Sequence, residues 1–281
     1  AEWSAQLCDM FCDPDCKDHD DPADPITWAK ANASMNIADD HGLRTETVRA
    51  DFRAMDLDSF AAEHLGIGDW PVDGSGWLLI PKKAWNARAD KTSEIIGKFC
   101  LGVDVAAESA WGTIVAAGAN RHGDTHVEVT GNELEGKFDH RPGSQWIVDR
   151  VVEIWDRQRK DIECVVIDMS GPAGELVPEL INRGVKVVNP TPREFALACN
   201  DFHHAVMPKR GEVATLTHRG QDILDSAVRV CDKKTVADLW AFSKITSSAD
   251  ISPLYAATLA KHGYKQFVFG KKAAAPWAFR M

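Results

Sequence analysis

The sequence predicts an α/β fold in which helices cover both faces of one mixed sheet. Three observations carry that reading. Residues 99–106 and 111–119 are apolar runs parted by a short polar break, and "THVEVTGNEL" (125–134) follows at once, so three strands are joined by short connections. From residue 143 onward, segments of helical period alternate with short apolar runs. Those later runs, "ECVVIDMS" and "VKVVNP", are apolar without alternation, as in strands covered on both sides.

Each element has its own justification. "GSQWIVDRVVEIWDRQR" repeats Trp146, Ile147, Val151, Ile154 and Trp155 at helical spacing, with Trp111, Trp146 and Trp155 read as core rather than as stacking platforms. "ECVVIDMS" (163–170) is a buried strand, and "GELVPELINRG" (174–184) a helix that stops at Gly184. "VKVVNP" (185–190) is a strand and "PREFALACNDFHHAV" (192–206) a helix. "RGQDILDSAVRVCDKK" (219–234) reads as one helix, "DLWAFSKI" (238–245) as a strand, and "DISPLYAATLAKHGY" (250–264) as the final helix. Residues 1–98 are different in kind: an acidic, partly helical connector. A helix is expected to start at Asp24–Pro25, and Val48, Phe52, Met55, Phe60 and Leu65 fall near helical spacing before Gly66. The expected division is therefore a connector over 1–98 and a mixed-sheet domain over 99–281.

Composition narrows the function classes. The chain has 281 residues, 44% apolar and 26% charged, enough for a sizeable core. Its net charge of −10 sits almost wholly in residues 1–98, which carry 19 acids against 10 bases, so the total does not exclude a nucleic-acid partner for the rest. No run reaches the length of a membrane span and the N-terminus lacks a signal-peptide layout. Cys100, Cys164, Cys199 and Cys231 lie singly in apolar segments, which suggests reduced thiols. Cys8, Cys12, Cys16 and His19 in "CDMFCDPDCKDH" match no standard zinc spacing and read as part of a solvated acidic loop, zinc being the alternative. No G-x-x-x-x-G-K-[ST] loop occurs, so the chain is not expected to bind ATP as a motor does.

Carboxylates in apolar runs carry the functional signal. Asp104 interrupts "FCLGVDVAAESAWGTIVAAG", where an unpaired charge would cost several kcal/mol on burial. Asp168 ends the apolar run "CVVID", and Asp250 precedes the last helix. On neighbouring strands, two such carboxylates need a cation between them to stay ionised together. A divalent ion on oxygen ligands suits Mg2+ or Mn2+, and three acids on a mixed sheet suit two-ion phosphodiester hydrolysis.

These segments resemble the large terminase subunit of tailed bacteriophages, specifically its C-terminal nuclease region, across nearly the whole chain. "DPITWAKANASMN", "FAAEHLGIGDWP" and "IPKKAW" are similar to the family's connector, "LGVDVAAESAWGTIVAAG" to its first catalytic strand and hairpin, and "VVIDMSG" to its second acidic strand. "LTHRGQDILDSAVRVC" and "KITSSADISPLYAATLAKHG" are similar to its closing segment. The resemblance implies a ribonuclease-H-like fold and a metal-dependent endonuclease that cuts double-stranded viral DNA during packaging. Asp104, Asp168 and Asp250 would be the metal-binding acids, with Mg2+ or Mn2+ as two ions. Glu108, Lys244 and His218 are accessory candidates: Glu108 falls near a further family acid, Lys244 contacts phosphate or offsets the acids, and His218 reads as a loop position. The resemblance further implies an ATPase region upstream in a longer protein, and portal protein and small terminase subunit as partners. It places the protein in the host cytoplasm during virion assembly, away from membranes, and this fragment alone is expected to be monomeric. Three other readings compete: another ribonuclease-H-like nuclease of resolvase or transposase type, a non-catalytic portal or capsid docking module, and a sugar-kinase or actin-like ATPase. The last needs glycines near Asp104, where Ala106 and Ala107 stand instead.

Overall fold

A strand enclosed on both faces has no position left for a solvated side chain. In the computed structural model β1 (Phe99–Val105) meets that condition, with all seven residues buried. The structure describes residues 4–5, 20–35, 42–55, 57–66, 76–132, 135–209 and 211–269. The Cys8, Cys12, Cys16 and His19 cluster lies outside these. β1 pairs antiparallel with β2 (Trp111–Ala119), which pairs antiparallel with β3 (Thr125–Val129). A short hairpin, β4 (Gly131–Asn132) with β5 (Lys137–Phe138), leads to β6 (His140–Pro142), which also pairs with β2. On the other side of β1 lie β7 (Ile162–Ile167) and then β8 (Val187–Val188), both parallel. β9 (Leu216–His218) runs parallel to β3. Among the described residues the main sheet thus has seven strands in the order β8-β7-β1-β2-β3-β9, with β6 beside β2. A separate hairpin joins β10 (Lys233–Val236) to β11 (Leu239–Phe242).

The chain divides into two compact units, Ala1–Gly74 and Ser75–Met281. In the first, α1 (Pro25–Ala31) starts as expected, with Asp24 accepting the Ile26 N–H and proline in the first turn. α2 (Thr45–Ala54) and α3 (Leu57–His64) follow, interrupted by extended backbone at Met55. Trp28, Val48, Phe60 and Leu65 form this unit's buried core, with Phe60 edge-on to both Trp28 and Phe52.

In the second unit α4 (Lys82–Asn86) puts Trp85 into the sheet's core together with Ile80, so residues 76–98 pack within the same unit as the sheet. α5 (Ile147–Arg157) and α6 (Val177–Asn182) cover one face, meeting Phe99, Leu101, Val103 and Val105. α7 (Pro192–Val206), α8 (Asp222–Val230) and α9 (Ser252–Tyr264) cover the other, so helices lie on both faces. α7 begins at a complete capping box, Thr191 with Glu194.

α9 sets the geometry of the unit. Any Cβ on Gly102 would collide with the Ala256 carbonyl oxygen and the Ala260 nitrogen, so the helix backbone rests directly on β1. Gly263 likewise lies over Cys100 and Val166. The contacts run in opposite senses, residue 263 over 100 and residue 256 over 102. The start of α9 therefore reaches the C-terminal end of β1.

Three expectations are corrected. The strand expected over 125–134 stops at Val129, because Gly131 takes φ 142° and turns the chain back onto Phe138. The helix expected over 219–234 ends at Val230; Cys231 is extended, and residues 233–236, with β-branched Thr235 and Val236, pair with 239–242. That hairpin packs on α7 instead of joining the main sheet. Trp111, expected in the core, is 38% exposed. Gly102→Ala is expected to destabilise the chain by about 3 kcal/mol in urea unfolding; an unchanged midpoint would contradict the close helix–strand contact.

Candidate active site

Alternation along β1 directs Cys100, Gly102 and Asp104 toward α9, while the odd-numbered residues face α5. Asp104 therefore lies under the start of that helix, 1% exposed. β7 runs beside β1 in parallel with Val103 opposite Ile167, and the next residue on each strand is Asp104 and Asp168. Asp168 is held by Ser170, whose N–H and hydroxyl both donate to Oδ1 at 3.0 and 2.6 Å. Asp250, two residues ahead of α9, accepts the Ser252 N–H on Oδ1 and the Ser252 hydroxyl on Oδ2, both at 2.8 Å. Three carboxylates thus arrive from the ends of two strands and the entry to one helix.

Lys244 sits among them. Its Nζ donates to Asp104 Oδ1 at 2.6 Å and to the Val105 carbonyl at 3.1 Å, and lies 4.3 Å over the Tyr255 ring. Asp104 Oδ2 is buried without a hydrogen-bond partner among the described residues. Burial pushes the Asp104 carboxyl up to about 6; Lys244 opposes this and the charge of Asp250 adds to it. Tyr255 is also pushed up, first by burial and then by the charges of Asp104 and Asp168. The charge of Asp250 thus acts on Asp104, those of Asp104 and Asp168 act on Tyr255, and Lys244 pairs with Asp104.

The donor set fits a hard divalent cation. Carboxylates are the hard oxygen donors such an ion takes, one buried Asp104 oxygen has no partner among the described residues, and the Lys244 ammonium pairs with the other. Among the described residues no group of three or more His, Cys, Asp or Glu stands at metal-ligand spacing. Lys244 is the cation that Asp104 holds here.

The accessory candidates separate. Glu108 is exposed on the turn Ala107–Ser109, with left-handed backbone at φ 54°. His218 is not in a loop but on the edge strand β9, three strands from β1 and 1% exposed. Its Nε2 donates to the Trp85 carbonyl, its Nδ1 accepts the Gly220 N–H, and its ring stacks on Trp85 at 3.9 Å. Burial pushes its pKa down, and both nitrogens are satisfied in the neutral form, so the structure gives His218 a packing role. Sequence reasoning missed Thr113, His140, Ser252 and Tyr255. Ser252 had a visible signal in "SADIS", an acid followed two residues later by a hydroxyl. Thr113 and His140 become recognisable only once the strand register is known.

The raised Asp104 pKa has a sign that can be measured. The folded chain holds this proton more tightly than the unfolded chain, so between roughly pH 4 and 6 the group lowers stability as pH rises. Without divalent metal, Asp104→Asn should remove that loss, so the difference between variant and wild type in urea unfolding grows in the variant's favour across this window. A difference independent of pH would contradict the assignment.

No family model matches the sequence, and no curated protein aligns with it. Solved structures do match. The large terminase of bacteriophage HK97 superposes with a TM-score of 0.52 at 14% identity, over 88% of this chain and 55% of that one. The large terminase nuclease of thermophilic phage G20c with bound cobalt gives 0.44 at 10% identity, over 65% and 95%. The same phage's nuclease with bound magnesium gives 0.42 at 11% identity, over 64% and 84%. This chain spans about half the length of the HK97 protein. At such identities the likeness is one of fold: the chain shares the fold of part of the phage HK97 large terminase, the family its motifs resemble.

Proposed function

We propose that this chain is a divalent-metal-dependent endonuclease that cuts double-stranded viral DNA during genome packaging. The observation that supports it is the buried Asp104 carboxylate oxygen with no partner among the described residues, with Asp250 near enough to raise the Asp104 pKa and Asp168 at the matching end of the neighbouring strand. These three acids would hold Mg2+ or Mn2+, two ions in the full reaction. Bound metal would activate the attacking water and stabilise the leaving oxygen of the phosphodiester. The chain's own residues prepare that site. Burial by α9 keeps water from Asp104, Ser170 and Ser252 orient the other two carboxylates, and Lys244 offsets the charge until a cation or a phosphate arrives.

Packaging context belongs to the same reading. The HK97 protein is longer than this chain, and with no phosphate-binding loop here the motor would lie in another part of the full-length protein. Double-stranded DNA is the substrate, portal protein and small terminase subunit are the partners of the whole, and the host cytoplasm during assembly is the place. No described helix is long and apolar enough to cross a membrane.

The test incubates the chain with supercoiled plasmid and Mn2+ or Mg2+. Nicking is expected, and Asp104→Ala and Asp168→Ala should each lower it by about 1000-fold, a loss of ~4 kcal/mol in transition-state stabilisation. Undiminished cutting by both variants would overturn the site. No cutting with any metal would favour a docking module, and ATP turnover without nicking a kinase-like enzyme.

A further inference from the structure

The register of the sheet carries one row beyond the acids. Asp104 pairs with Thr113 across β1 and β2, and Thr113 pairs with His140 across β2 and β6. Directly opposed residues project to the same face, so all three face α9. Thr113 Oγ1 lies 2.8 Å from His140 Nδ1 and 2.9 Å from Ser252 Oγ. Ser252 Oγ in turn lies 2.8 Å from Asp250 Oδ2.

Proton counting orients this chain. An ionised carboxylate only accepts, so the single Ser252 hydroxyl proton points at Asp250. Thr113 must then donate to Ser252, and its oxygen accepts from His140. The Nδ1–H tautomer is the neutral imidazole consistent with that order. Burial pushes the His140 pKa down while the charge of Asp250 opposes it, and the Trp111 ring stacks on the imidazole at 4.8 Å and 11°, fixing its plane. Thr113 and Ser252 are fully buried, so neither hydroxyl can turn to solvent.

We propose that His140 is a positioning residue for Asp250, the head of a one-way donor chain through Thr113 and Ser252 that ends at Asp250 Oδ2. The chain leaves each Asp250 oxygen with one donor from Ser252 and lone pairs free for a cation. This rests on the reading of Asp250 as a metal-holding acid. It assigns the strand β6, which no acid motif marks, to the support of the site.

Imidazole 15N chemical shifts in the whole chain read the tautomer without any activity. His140 should show Nδ1–H, and Thr113→Val, which keeps shape and removes the hydroxyl, should abolish that preference. Titration with Mn2+ alone should show affinity lowered roughly 10-fold or more in Thr113→Val and His140→Leu. His140→Asn, which keeps an N–H donor at similar reach, should recover most of that loss. Nicking should lose kcat with plasmid KM little changed. An Nε2–H tautomer in the wild type overturns the proposal. So do variants that stay folded by circular dichroism yet bind Mn2+ and nick as the wild type does. Failure of the nuclease reading looks different: the wild type itself takes up no Mn2+ and nicks nothing, which removes the role of Asp250 whatever the tautomer.

Discussion

The contact of α9 with β1 at Gly102 is the constraint on which the rest depends. A helix normally stands off a sheet by the thickness of two layers of side chains. Here Gly102 in the strand and Ala256, Ala260 and Gly263 around the contact remove that spacing, and backbone meets backbone. The opposed running of the two elements then fixes which end of the helix meets which end of the strand. Asp250, Ser252 and Tyr255 arrive beside Asp104, and the parallel pairing of β7 brings Asp168 to the same edge. The positive end of the helix dipole also falls there, where it favours negative charge.

That geometry holds charge at a cost. Asp104 is buried beyond what one lysine offsets, as its raised pKa records, and a second carboxylate lies near enough to raise it further. Holding a buried charge in this way lowers stability. Each hydroxyl around it has an assigned partner: Ser170 serves Asp168, Ser252 serves Asp250, and Thr113 links Ser252 to His140. The orphaned Asp104 oxygen stands out against that completeness.

Much of this is legible in the sequence because burial penalises charge. An aspartate inside an apolar run is conspicuous without structural knowledge, and Asp104 and Asp168 stand out on that ground alone. The sheet's centre is legible for a related reason, since strands covered on both faces are apolar throughout. What escapes depends on long-range pairing. β9 is three residues long, and its residue His218 looks like a loop position until Trp85 is seen stacked on it. Thr113 and His140 are ordinary residues whose meaning comes from register across β1, β2 and β6. No glycine or proline stands between Val230 and Lys234 to stop the expected helix, while the local preference of Thr235 and Val236 and their partners in β11 decide otherwise.

Anomalous diffraction from crystals soaked in Mn2+ tests the central claim most directly, because it locates the cation without assuming an activity. The account predicts density bounded by Asp104, Asp168 and Asp250, with the Lys244 ammonium moved off Asp104 Oδ1. Crystals that take up no Mn2+ between these acids and keep Lys244 on Asp104 would contradict it.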